Sequence, residues 1–284
     1  MHDIKIIRDN PLNFEDGLKK RGEVINSSHI IEIDDKRKSI QTKLQDIQNN
    51  RNVISKDIGV AMSENDHDKA KALKEQVQKY KIEIQDLEKL EKEILFELKE
   101  CLSVIPNVPS NDVPNGKSEE NNIQIRNWGE LNKFSFDIKD HVELGQNLGL
   151  MDFEKTSEIS GARFVTLKGS LAHLERALGA FMLDVHTKQN NYIEISPPIL
   201  VKDIAPYGVG QLPKFAGDLF QTTSGHWLIS TGEVPLTNIH RNDVINIENF
   251  PIRYVALTPC FRSEAGAAGK DTRGMLRQHQ FTKV

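Results

Sequence analysis

Cysteine is nearly missing from this chain: of 284 residues only Cys101 and Cys260 carry a thiol. They stand far apart and in no Cys-x-x-Cys arrangement. That argues against a disulfide scaffold or a structural zinc site and fits a reducing, cytoplasmic setting. No run of eighteen or more apolar residues exists, so no membrane span is expected. Behind Met1-His2-Asp3-Ile4-Lys5 there is no apolar stretch of the signal-peptide kind. Charge of one sign is also lacking. A formal net charge of −4 excludes a general polyanion binder, so a nucleic-acid site must arise from local patterning. There is no Gly-x-Gly-x-x-Gly and no complete Walker-type segment, so a bound nucleotide is not expected on a Rossmann or P-loop turn. His173, His186 and His240 lack metal-ligand spacing and read as structural histidines; no protein-held metal is expected. What is present is 38% apolar and 27% charged, the composition of a soluble protein with an ordered core. The length suits one large domain or two ordinary ones.

Residues 30–103 read as two long helices folded back on each other. In the first, Ile33, Arg37, Ile40, Leu44, Ile47, Arg51, Ile54 and Ile58 recur at spacings of four and three. In the second the same alternation runs through Ala70, Leu73, Val77, Tyr80, Ile84, Leu87, Glu91, Ile94, Leu98 and Cys101. Heptads sustained over roughly four repeats predict a coiled coil. Gly59 and the polar run Ser63-Glu64-Asn65-Asp66-His67-Asp68 are expected to supply the turn, making an antiparallel hairpin. Each arm would extend roughly 40–50 Å and should protrude. From Lys36 to Lys81 there are eleven Lys/Arg against six Asp/Glu, whereas from Glu83 to Glu100 seven acids face three lysines. The hairpin is thus basic distally and acidic at the base of its second helix. It is either a solvated face of mixed charge or an arm that lies along a phosphate backbone.

Pro106, Pro109, Pro114, Gly116 and five asparagines mark residues 104–122 as a linker. Beyond it, Phe164-Val165-Thr166-Leu167 suits a strand. Leu171, Leu174, Leu178, Phe181, Met182 and Val185 give residues 170–188 an amphipathic helical pattern. Tyr192-Ile193-Glu194-Ile195, Trp227-Leu228-Ile229 and Arg253-Tyr254-Val255-Ala256-Leu257 are further strand candidates. The fold class is α+β: a mostly antiparallel sheet with helices packed on it, preceded by the hairpin.

Two stretches carry candidate chemistry. In Pro259-Cys260-Phe261-Arg262-Ser263-Glu264, Arg262 and Glu264 alternate in a strand-like run and should share one face. A guanidinium can fork two phosphate oxygens, and a carboxylate can accept from an exocyclic amine. In Arg277-Gln278-His279-Gln280-Phe281, the phenylalanine can cover an adenine. Between them Lys270, Arg273 and Arg277 lie among Gly266, Gly269 and Gly274, which suits a loop that closes over phosphates. The plainer alternative is a surface ion pair beside a core phenylalanine. Thr231-Gly232-Glu233 combines a hydroxyl, a bare backbone and a carboxylate that together can hold a small zwitterion. Such a tripeptide is common by chance.

These stretches, in this order, resemble bacterial-type seryl-tRNA synthetases, a class II aminoacyl-tRNA synthetase family. The resemblance covers essentially the whole chain. It includes the coiled-coil arm, His141-Val142-Glu143-Leu144-Gly145, Ser160-Gly161-Ala162-Arg163-Phe164 and Gly210-Gln211-Leu212-Pro213-Lys214-Phe215. Residues 170–199, ending in Pro197-Pro198, look like motif 1, and residues 253–284 like motif 2. The resemblance implies domains at 1–103 and 123–284, with linker 104–122 between them. It implies serine activation by ATP with Mg²⁺, then transfer to tRNA(Ser), and to selenocysteine tRNA where the organism has one. Arg262 would grip the α-phosphate and be the catalytic group, Glu264 would contact adenine, Phe281 would stack on it, and Ser263 and Arg277 would complete the ATP site. Thr231, Gly232 and Glu233 would bind serine, although the family usually has alanine at the middle position. Lys36, Arg37, Lys43, Arg51, Lys71 and Lys74 would meet tRNA, and motif 1 would form a homodimer.

Motif 3, a metal-binding acidic residue and a serine-binding glutamate expected just after Val284 are not within the 284 residues. The catalytic sheet is therefore expected to be incomplete, and residues 1–284 alone inactive in adenylation and poorly soluble. Three competing readings remain. A non-catalytic tRNA-binding paralogue is opposed by intact Arg262, Glu264 and Thr231-Gly232-Glu233. A ligase charging a carrier protein is opposed by the heptads, and a purely structural coiled coil leaves residues 160–284 unexplained.

Overall fold

Asp3 and Pro11 set the first two helices. The Asp3 carboxylate accepts from the Lys5 amide at 2.8 Å and caps α1 (Ile4–Asp9). Pro11 opens α2 (Pro11–Lys19), where its missing N–H would be unpaired in any residue. Two 37-residue helices follow, α3 (Ser27–Ser63) and α4 (His67–Ser103), capped by Asn26 and Asp66. The computed structural model describes residues 2–116, 118–265 and 272–284. Contacts divide the chain into two units, Met1–Trp128 and Gly129–Val284.

In the first unit every heptad position named above is buried or half-buried, so the period read from sequence is the seam of the hairpin. The turn is tighter than expected. Gly59 lies inside α3, and the reversal needs only Glu64, Asn65 and Asp66, with Asn65 in the left-handed region at φ 56°. A lone glycine costs a helix only about 1 kcal/mol, too little to end one held by a long apolar seam. At the hairpin base Ile7, Phe14, Leu18, Ile30, Ile33, Leu98 and Leu102 form one core. Burying each such side chain contributes roughly 1.5–3 kcal/mol. Asp34, with a side chain 0% exposed, pairs there with Arg8 at 2.8 Å, Arg37 at 2.6 Å and Lys38 at 3.4 Å. Burial pushes its carboxyl up, but the hydrogen bonds and charges of Arg37 and Lys38 outweigh this and hold it below the ordinary value.

The second unit contains α5 (His141–Asn147), β1 (Met151–Asp152), α6 (Glu154–Ser160), β2 (Thr166–Leu167) and α7 (Gly169–Gln189). It continues through β3 (Ile193–Glu194), β4 (Leu200–Val201), α8 (Ile204–Gly208), β5 (Trp227–Leu228) and α9 (Glu233–Asn238). β6 (Tyr254–Val255), β7 (Thr258–Phe261) and β8 (Gln280–Lys283) complete it. The strands pair two by two. β1–β2, β4–β5 and β7–β8 are antiparallel, and β3–β6 is parallel. Ile229 links two of these ladders, donating to Ile199 O at 3.0 Å and accepting from Phe261 N at 2.8 Å. Val201, Ala205, Ile229 and Val234 form the core beneath them.

Helix α7 departs from the simple amphipathic expectation. Its buried side carries Gly179, against which Leu257 packs, while Leu174, Leu178, Phe181 and Met182 are exposed. The apolar periodicity is real, but much of it faces away from this chain's own core. No helix among the described residues is long and apolar enough to cross a membrane.

Candidate active site

The β7–β8 ladder sets the site. Its register places Cys260 opposite Phe281 and Phe261 opposite Gln280. Arg262 therefore leaves the end of β7 beside Phe281, and its guanidinium lies over the phenyl ring, 5.2 Å from the centroid. Its Nε donates to Ser230 O at 3.3 Å. Two bonds pin the strand end: Arg262 N donates to His279 O at 2.9 Å, and His279 Nδ1 lies 2.8 Å from Arg262 O.

The expected strand-like alternation of Arg262 and Glu264 does not occur. β7 ends at Phe261, and Glu264 sits in the left-handed region at φ 49°. The two residues converge all the same, because the chain curls after the strand. Arg262, Glu264, Met275, Arg277, Gln278 and Phe281 line an open cavity of about 550 Å³. Glu264, 14% exposed, pairs with Arg277 at 3.1 Å. Arg163 donates to the Glu264 carbonyl at 3.3 Å. Ser263 does not line this cavity. Its hydroxyl donates to Gly217 O and its amide to Asp218 O at 3.0 Å, tying the curl to the neighbouring 216–218 turn. Lys270, Gly266 and Gly269 fall outside the described residues, whereas Arg273 pairs with Asp140 at 3.0 Å.

A second cavity, about 200 Å³, is lined by Gly232, Glu233, Tyr254, Val255 and Lys283, among others. Lys283 was not foreseen. Its Nζ donates to Thr231 Oγ1 at 2.8 Å and to Glu233 Oε1 at 2.7 Å, and the Thr231 hydroxyl also donates to Glu233. Desolvation pushes the Glu233 carboxyl up, but hydrogen bonds from Lys283 and Thr231 prevail and lower it to about 2. Gly232 is buried, and a Cβ there would stand 3.2 Å from Thr258 Oγ1. The signal for Lys283 was in the sequence: it lies two residues from Phe281, on the same face of β8. Arg163 and His279 had no comparable signal, since their contacts run through backbone atoms of distant segments.

Of the arm residues singled out, Lys36, Lys43, Lys71 and Lys74 are exposed, while Arg37 and Arg51 are half-buried in the seam. Arg37 is already engaged. Its Nε and Nη2 meet Asp34 Oδ1 at 2.8 and 2.6 Å, and Nη1 meets Gln41 at 2.9 Å. The histidines divide as well. His240 lies 3.0 Å from Asp243 and 2.7 Å from Tyr254 Oη, and His186 lies 3.2 Å from Asn190, but His173 is exposed.

Residues 1–109 match the seryl-tRNA synthetase N-terminal domain. Residues 221–284, which hold both cavities' key side chains, match the tRNA synthetase class II core domain (G, H, P, S and T). A seryl-tRNA synthetase from Pyrococcus horikoshii, solved in complex with ATP, superposes on the whole chain with a TM-score of 0.85. It is 30% identical, and 68% of its own length is covered. The chain belongs to the seryl-tRNA synthetase family. Serine–tRNA ligases of Brucella canis and Brucella suis are each 52% identical to it over all 284 residues. The chain spans 66% of the length of these curated relatives. The cytoplasmic serine–tRNA ligase of Naegleria fowleri, solved with AMP, matches with a TM-score of 0.79 at 25% identity, over 100% of this chain and 69% of its own.

Proposed function

We propose that this seryl-tRNA synthetase chain belongs to a protein that activates serine with ATP and transfers the seryl group to the 3′ end of tRNA(Ser). The observation that carries the reading is that one strand serves both cavities. β8 presents Phe281 to the larger and Lys283 to the smaller, two residues and so roughly 7 Å apart. An amino acid carboxylate in one cavity can thereby meet an α-phosphate in the other. The neighbours solved with ATP and with AMP add support for a nucleotide.

Arg262 is read as the group that forks the α-phosphate and stabilises charge building there as serine's carboxylate oxygen attacks and pyrophosphate leaves. It is poised beside Phe281, whose ring offers a face to adenine, with Glu264 and Arg277 on the cavity's rim. Glu233 stays ionised across the working pH range and suits serine's ammonium. Thr231 and Glu233, bonded here to each other and to Lys283, can turn to serine's hydroxyl, a gain that alanine cannot supply. The chain's share is positioning and electrostatics. Mg²⁺ enters as the companion of the ATP phosphates. Among the described residues no three His, Cys, Asp or Glu side chains cluster to hold it.

The exposed lysines of the hairpin, Lys36, Lys43, Lys71 and Lys74, suit a tRNA backbone. Selenocysteine tRNA falls under the same reading where the organism makes one. The exposed apolar face of α7 suits a second copy, giving a homodimer through motif 1. The scarcity of cysteine suits the cytoplasm. The full-length protein should exchange pyrophosphate into ATP in a serine-dependent way and serylate tRNA(Ser). Tight tRNA(Ser) binding with no exchange would overturn the enzymatic reading in favour of a tRNA-binding paralogue.

A further inference from the structure

The nucleotide cavity has one wall that no strand supports. Met275, Arg277 and Gln278 precede β8 in a stretch of turns and bends, yet they line the cavity beside Arg262, Glu264 and Phe281. A wall without a ladder needs another anchor, and the described residues supply one from α5. His141 Nε2 accepts from the Met275 amide at 2.8 Å. One residue earlier, Gly274 is in the left-handed region at φ 64°. A Cβ on it would stand 2.3 Å from His141 Nε2 and 2.4 Å from Val142 Cγ2. One residue earlier again, Arg273 pairs with Asp140 at 3.0 Å. Three consecutive residues are therefore seated on the first three residues of one helix corner. Asp140 is itself fixed, because its carboxylate caps α5 by accepting from the Glu143 amide at 2.9 Å.

Met275 couples the helix to the cavity, since its amide meets His141 while the residue itself lines the cavity. Its carbonyl is also 3.5 Å from Gln278 Nε2. Two residues on, Arg277 reaches Glu264. We infer that His141, with Asp140, is a positioning residue for ATP: it holds Met275 by its backbone and so sets where Arg277 and Gln278 stand around the nucleotide. His141 is not among the residues that line the cavity, and it acts only through this backbone bond. The inference rests on the adenylating activity proposed above.

The test separates acceptor from shape. In the full-length protein, His141→Phe keeps a ring and removes the acceptor, whereas His141→Gln keeps an acceptor near the place of Nε2. Pyrophosphate exchange is measured with ATP and serine varied in turn. The expected result is a KM for ATP raised roughly tenfold in H141F, with the KM for serine unchanged and H141Q close to wild type. A merely structural histidine would move both KM values together or neither, and either outcome overturns the inference. If wild type itself shows no serine-dependent exchange, the proposed function falls, and this inference with it. Should H141F fail to fold, Asp140→Asn decides. Asparagine still caps α5 but no longer pairs ionically with Arg273. A selectively raised KM for ATP supports the inference, and an unchanged one overturns it.

Discussion

Arg262 shows how much a single side chain depends on the strand end that carries it. In the role proposed for it, its charge would act at the α-phosphate and its planar fork would match two oxygens. Arg262→Lys should lower pyrophosphate exchange roughly a hundredfold while leaving thermal stability near wild type. Glu233 makes the second residue-scale case. Its folded carboxyl titrates at about 2 against an ordinary 4.5, so its contribution to stability is present above 4.5 and is lost as pH falls through about 2. Lys283→Met removes a hydrogen bond and a positive charge that hold it down. The Glu233 titration, followed by carboxyl NMR, should then move up toward the ordinary value. Gly232 tests the one departure from the family's usual tripeptide. Its backbone is right-handed helical, φ −62°, so alanine is allowed there, and only the Thr258 hydroxyl must yield by a few tenths of an ångström. Gly232→Ala should change unfolding free energy by less than about 1 kcal/mol in urea melts.

Among the elements, the hairpin separates two kinds of cation that composition alone cannot distinguish. Lys43 and Lys71 are exposed and form no ion pair among the described residues, whereas Arg37 is locked to Asp34 and Gln41. Lys43→Gln and Lys71→Gln should each weaken tRNA binding and reduce the slope of log K against log salt by about 1. Arg37→Gln should act mainly on stability, and Asp34→Ala should cost the folded protein about 2 kcal/mol in urea melts. Asp34 is held below the ordinary carboxylate value, so its contribution is present above that value and lost on acidification below it. The sequence displayed the seam plainly, since heptads persist through both helices. It placed the turn in the polar run from Ser63 to Asp68, where the reversal falls, but also gave Gly59 a share that the helix does not grant, because a local propensity of about 1 kcal/mol yields to a continuous packed interface.

At the scale of the whole molecule the exposed face of α7 has a direct consequence. Leu174, Leu178, Phe181 and Met182 leave apolar surface in water unless a second copy covers it. In the homodimer proposed above, Phe181→Asp should shift sedimentation of the full-length protein from dimer to monomer. An unchanged dimer would locate the contact elsewhere.

The sequence alone determined the two-helix hairpin, the α+β class, the family and the identity of Arg262, Glu264, Phe281 and Thr231-Gly232-Glu233 as candidates. The hairpin and the strand and helix candidates follow from local spacing, where one residue's neighbours in sequence are also its neighbours in space, whereas the family rests on the resemblance of several motifs in order. Tertiary structure decided which candidates face a cavity. It turned Ser263 onto the 216–218 turn, enclosed Arg37 in an ion-pair cluster, brought Lys283 to Glu233 across fifty residues and seated Met275 on His141 across 134. These contacts arise from strand register and backbone hydrogen bonds between distant segments. No periodicity encodes such contacts, because they exist only once the chain has closed on itself.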